Sequence, residues 1–128
     1  MPQPHLPMKK HILIVDDEAP IREILAQMLD RSGYRVTGAA SAMEAQQVMQ
    51  RDPPALIISD LQLEDTDGLA MISQLKKSFP HLPVILLTGV LFDDDVVRDS
   101  LSKVITSYLA KTTPLAKILE EVRRVLPA

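Results

Sequence analysis

The chain has 128 residues, with 46 % hydrophobic and 24 % charged side chains and no Cys. That balance describes one globular domain with its own core, and it excludes a disulfide framework, a thiolate metal site and a Cys nucleophile. With 14 Lys plus Arg against 17 Asp plus Glu, a net charge of −3 and only 3 % aromatics, it argues against a basic nucleic-acid surface or a base-stacking platform.

In chain order, residues 1–9 carry Pro2, Pro4 and Pro7 and read as a loosely ordered tail, with 10–127 as the folded domain. No apolar stretch is long enough for a membrane span and the start lacks a secretory pattern, so the expected location is cytoplasmic. Ile12, Leu13, Ile14 and Val15 form a continuous apolar run, which predicts a strand buried on both faces. Ile21, Ile24, Leu25, Met28 and Leu29 share one helical stripe, with Pro20 near its start and Gly33 past its end. A more polar strand over 34–39 belongs at a sheet edge. Ser41 and Glu44 spell a capping box for a short helix that Pro53 and Pro54 terminate. A third strand follows over 55–59. Asp67 caps a helix carrying Leu69, Ile72, Leu75 and Phe79, closed by Pro80. A fourth strand is expected over 83–88, and a fourth helix over 93–100 opening on Asp93, Asp94 and Asp95. A fifth strand spans 105–110. Thr113 and Pro114 then open a fifth helix with Leu115, Ile118, Leu119, Val122, Val125 and Leu126 on one face. Buried strands alternating with amphipathic helices predict an α/β fold, a doubly wound parallel sheet with helices on both faces. The ligand crevice of such a sheet lies beyond the carboxyl ends of its strands.

Those ends carry the chemistry. Asp16, Asp17 and Glu18 follow the first strand and Asp60 the third; Thr88 and Gly89 close the fourth, and Lys111 follows the fifth. Crowded carboxylates suit Mg²⁺, and their mutual repulsion is expected to push at least one pKa up. A hydroxyl, a backbone N–H and an ammonium beside them make a receptor for phosphate oxygens. Together they are the equipment for forming an aspartyl phosphate. Alone, each is ordinary: an Asp-Asp turn is usually solvated, and a lysine after a strand usually lies on the surface. Only their convergence on one rim carries the argument.

Over 10–126 the chain resembles the receiver domains of two-component response regulators. The residues that carry the likeness are Ile14 to Glu18, then Ile58, Ser59, Asp60 and Leu61, then Asp67, Gly68 and Leu69, then Leu87, Thr88 and Gly89, and finally Tyr108, Leu109, Ala110 and Lys111. The resemblance implies a flavodoxin-like (βα)5 sandwich with strand order 2-1-3-4-5. It implies Asp60 as phosphoacceptor, and Mg²⁺ held by Asp16, Asp17, Asp60 and the Gln62 backbone carbonyl. It also implies that Thr88, Gly89 and Lys111 receive the phosphoryl group, and that Tyr108 is the aromatic that turns inward when Thr88 moves. The implied function is a signalling switch and not a turnover enzyme, phosphorylated by a sensor histidine kinase or phosphotransfer protein. A second copy or an output partner is expected on the face of the fourth helix, fifth strand and fifth helix.

Three departures stand out. Thr112 replaces the proline that usually follows the lysine, so a trans peptide and a differently aimed Lys111 are expected. Leu63 and Glu64 replace Met-Pro, so a looser loop is expected, with Glu64 and Asp65 adding charge near the metal. The turn at Lys103, Val104, Ile105 and Thr106 lacks the usual glycine. These departures are the only support for an alternative, a pseudo-receiver that binds partners without phosphotransfer. A metal-dependent phosphatase is disfavoured because the Asp-x-Asp spelling is missing after the first strand, and the chain has no Walker or Gly-x-Gly-x-x-Gly loop for a nucleotide.

Overall fold

The computed structural model describes residues 9–89 and 103–127. Residues 1–8 of the expected tail and the helix expected over 93–100 with its acidic start lie outside the described residues. The elements are β1 (His11–Val15), α1 (Ala19–Arg31), β2 (Arg35–Ala39), α2 (Ala42–Arg51), β3 (Leu56–Ser59), α3 (Gly68–Ser78), β4 (Val84–Thr88), β5 (Ser107–Ala110) and a C-terminal helix α4 (Leu115–Val125). The five strands pair in parallel in the order β2-β1-β3-β4-β5, the order implied by the resemblance, with polar β2 at an edge.

The apolar runs of β1, β3 and β4 are buried along their whole length because alternate residues feed two cores. Leu13, Val15, Ile57, Val84 and Leu86 pack on one face with Ala45 and Val48 of α2 and Met71 and Ile72 of α3. Ile12, Ile14, Leu56, Ile58, Ile85 and Leu87 pack on the other with Leu25 and Leu29 of α1 and Ile118 and Val122 of α4. The buried stripe of α1 is rotated from the expected one. Leu25 and Leu29 are buried and Ile21, Ala26 and Met28 pack against them, but Ile24 is 48 % exposed. Ile24 stands about 100° round the helix from Leu25, outside the face that meets the sheet. Leu115 likewise faces solvent in the first turn of α4, apart from its buried Ile118 and Val122.

The punctuation follows the residues. Gly33 takes φ 97°, and the Tyr34 N–H reaches the Leu29 carbonyl at 3.1 Å, which closes α1. Ser41 Oγ accepts from the Glu44 N–H at 3.2 Å, but the Glu44 carboxylate reaches back to the Ala40 N–H, one residue before the cap. The turn into β5 is fastened by Thr106, whose N–H donates to the Val84 carbonyl and whose Oγ1 accepts from the Val84 N–H. That double clasp does what a glycine turn does elsewhere, and Val104 and Ile105 pack against the core beside it. At the opposite end of the sheet from the strand-end acids, His11 is buried. Its Nε2 lies 2.7 Å from Thr37 Oγ1, while Nδ1 has no hydrogen-bond partner and sits 3.8 Å from Asp52 Oδ2.

Candidate functional site

The hydrogen-bonded ladder runs one residue past each strand end and so fixes the site's backbone. The Asp16 N–H donates to the Ala39 carbonyl at 3.1 Å, Asp60 N–H to Val15 at 2.9 Å, and Lys111 N–H to Thr88 at 2.8 Å. Asp16, Asp60 and Lys111 thus start from one rim of the sheet. Their side chains meet: Lys111 Nζ is 2.8 Å from Asp60 Oδ2, 2.7 Å from Glu18 Oε2 and 3.1 Å from Asp16 Oδ2. Asp17, Glu18, Asp60, Gln62, Thr88, Gly89 and Lys111 line an open cleft of about 440 Å³, with Asp16 buried beneath it.

Lys111 reaches its partners without a cis peptide, since the described residues contain none. The turn after β5 is closed by the Thr113 N–H on the Ala110 carbonyl at 2.9 Å. The expectation of a differently aimed lysine is therefore corrected: a hydrogen-bonded turn replaces the proline. Burial works against the ammonium, but the hydrogen bonds it donates to Asp60, Glu18 and Asp16 outweigh that and raise the Lys111 pKa. Lys111 stays charged at any working pH.

Asp16 is held above the ordinary carboxylate range. The main cause is burial, with Asp60's charge a lesser contribution, so repulsion is the wrong reason for the expected upward shift. Its Oδ1 accepts the Glu18 N–H at 2.9 Å and its carbonyl accepts from Arg22 at 2.6 Å. One oxygen each from Asp16, Asp17 and Asp60 lie within 4.8 Å of one another. Opposite ligands around Mg²⁺ stand roughly 4.1 Å apart. The donor set is all hard oxygen and gathers on that scale, which fits a divalent cation that keeps several waters.

The loop after β3 is pinned, against the expectation of looseness. Leu63 N–H bonds the Thr66 carbonyl at 3.2 Å, Gln62 bridges to Asp67, and Leu63 packs on the core. Asp65 adds no charge at the acids. It turns to the start of α2, where its two oxygens accept the Ala42 and Met43 N–H groups at 3.0 and 3.1 Å. Those bonds hold its carboxyl below the ordinary range. Glu64 is exposed. Gln62 donates its N–H to Asp60 Oδ1 at 3.4 Å.

Gly68 matters here for its lack of a side chain. A Cβ there would sit 2.1 Å from the Asp60 carbonyl oxygen and 2.8 Å from that of Leu61, and its N–H donates to Leu61 at 2.7 Å. Only glycine lets the start of α3 press onto the loop that carries Asp60. Gly89 is the reverse case, since a Cβ there meets nothing within 4 Å. Its smallness leaves room in the cleft. Thr88 is buried at the cleft wall, and Tyr108, paired with Leu86 across the sheet, packs half-buried against the α2–α3 core.

A family model described as the response regulator receiver domain matches residues 12–123. The Bacillus subtilis sporulation initiation phosphotransferase F is 27 % identical over 120 residues, covering 94 % of this chain and 96 % of that protein. The Escherichia coli transcriptional regulatory protein GlrR is 37 % identical over 79 residues, 62 % of this chain but only 18 % of the longer regulator. A CheY-like receiver domain protein from Methanospirillum hungatei superposes with a TM-score of 0.84 at 29 % identity, covering 91 % of this chain and 93 % of that one. Matched along nearly its whole length in sequence and in fold, the chain belongs to the response regulator receiver domain family and is a phosphorylation-dependent signalling switch.

Proposed function

We propose that Asp60 is the phosphoacceptor and that Lys111, Thr88 and Gly89 receive the phosphoryl group, in a reaction that depends on Mg²⁺ at Asp16, Asp17, Asp60 and the Gln62 carbonyl. The observation that carries this reading is the 2.8 Å contact of Lys111 with Asp60 in a cleft whose acids cluster within 4.8 Å. Asp60 Oδ1 faces the Gln62 N–H while Oδ2 faces Lys111, so the carboxylate is oriented from both sides. In the transfer an Asp60 oxygen attacks phosphorus, and the P–N bond of a donor phosphohistidine breaks with its electron pair passing to the imidazole. Lys111 offsets the negative charge that arrives. Mg²⁺ would supply further positive charge beside the same oxygens. The donor is a sensor histidine kinase or phosphotransfer protein. Tyr108 is the switch residue, and an output partner or second copy docks on the face that includes β5 and α4. The domain works in the cytoplasm and makes no direct contact with nucleic acid. Among the described residues no helix is long and apolar enough to cross a membrane.

The departures that favoured a pseudo-receiver leave the cluster intact, because the loops around Leu63 and Thr112 are held by other bonds. The test is intact-mass analysis after acetyl phosphate and Mg²⁺. One phosphoryl group is expected on the wild type and none on Asp60→Asn; undiminished labelling of that variant would sink the assignment.

A further inference from the structure

We infer that Glu18 is a positioning residue that competes with the incoming phosphoryl group for Lys111 and thereby slows phosphorylation. The inference rests on Asp60 being the phosphoacceptor.

An ammonium has three N–H donors. Those of Lys111 face three carboxylates, Asp60 at 2.8 Å, Glu18 at 2.7 Å and Asp16 at 3.1 Å. A phosphoryl group on Asp60 brings new acceptor oxygens into the same cleft, so one existing bond must be surrendered. Asp16 is buried and tied by its second oxygen to the Glu18 N–H. Asp60 carries the group itself. Glu18 is the partner able to leave, because its side chain is 56 % exposed.

The backbone explains why Glu18 is there at all. It is the N-cap of α1, and its carbonyl accepts from Ile21 and Arg22 at 3.2 Å. A Ser, Thr, Asp or Asn side chain at this position would fold back onto its own helix. This one makes no such bond and extends across the cleft mouth to Lys111. Glu18 is also absent from the group of acids whose oxygens converge, which is Asp16, Asp17 and Asp60. Its role lies with the lysine and not with the cation.

Acetyl phosphate provides the simplest assay. An Asp60 oxygen attacks phosphorus, the bond to the acetyl oxygen breaks, and acetate leaves with the electron pair. Rates are measured on the full chain with Mg²⁺ for wild type, Glu18→Gln, Lys111→Ala and the double variant, with Asp60→Asn as the blank. Glu18→Gln is expected to label roughly two- to fivefold faster, the scale of an exposed ion pair. In the Lys111→Ala background the same substitution is expected to change nothing, an interaction that a merely structural role would not produce. A rate for Glu18→Gln at or below wild type overturns the inference while leaving the phosphoacceptor intact. So does an equal gain without Lys111, which would mean simple repulsion of the anionic donor. A wild type that takes no phosphoryl group removes both readings together.

Discussion

His11 has one ring nitrogen on Thr37 and the other buried without a hydrogen-bond partner. Burial is the main force holding its pKa below the ordinary 6.5, and Arg35 adds to it; Asp52 and the backbone at Asp52 and Pro53 oppose it. A lowered folded-state value means the unfolded chain takes up the proton first. Stability is therefore fully present above pH 6.5 and is lost as pH falls below that unfolded value. Carboxylates also titrate in acid, so the informative comparison is with His11→Asn. Urea midpoints measured at about pH 7 and about pH 5.5 should fall more for the wild type than for the variant. Equal falls would show that His11 gains a proton as readily folded as unfolded. Nothing in the residue order announced this pocket. His11 sits at the start of an apolar run, but Asp52 reaches it only because α2 ends against β1.

At the scale of elements, two loop devices set the site, and both are testable. Gly68→Ala places a methyl 2.1 Å from the Asp60 carbonyl, so either α3 or the loop must shift. A cost of about 2 kcal/mol is expected in urea unfolding, typical of overpacking, with slower phosphorylation because Asp60 moves with the loop. Unchanged stability would mean the helix start is free to yield. Asp65→Ala removes the acceptors of the Ala42 and Met43 N–H groups, and their hydrogen exchange should speed up while Glu44, capped by Ser41, is less affected. These two residues mark the boundary of what the sequence discloses. The apolar runs specified β1, β3 and β4, because burial on both faces needs no knowledge of neighbours. The cap at Asp67 was equally local and was found, its Oδ1 accepting the Leu69 N–H at 2.9 Å. Asp65, Glu18 and the close approach at Gly68 depend on where a second element lies. Ile24 failed for the same reason: a stripe fixes a helix's apolar side only to within the width that its neighbours leave covered.

For the molecule as a whole, the rim concentrates unlike demands. Buried carboxylates beside one lysine leave the sheet's edge short of positive charge, and a cation that binds only the folded state stabilises it by mass action. Added Mg²⁺ should raise the melting temperature of the wild type, and Asp17→Asn should lose most of that rise; an equal rise in both would place the ion elsewhere. The strand-end acids, hydroxyl and lysine were legible because a parallel α/β sheet collects its chemistry on one edge, whereas the strand order came only with the family resemblance. The cost of that economy appears in the ladder bonds that continue through Asp16, Asp60 and Lys111. The backbone under these groups is tied into the sheet by those bonds. The strand ends therefore act as a stator. News of a modified Asp60 has to travel outward by side-chain rotation and through the loops that rest on the rim, and its speed is set by rotamers and turns.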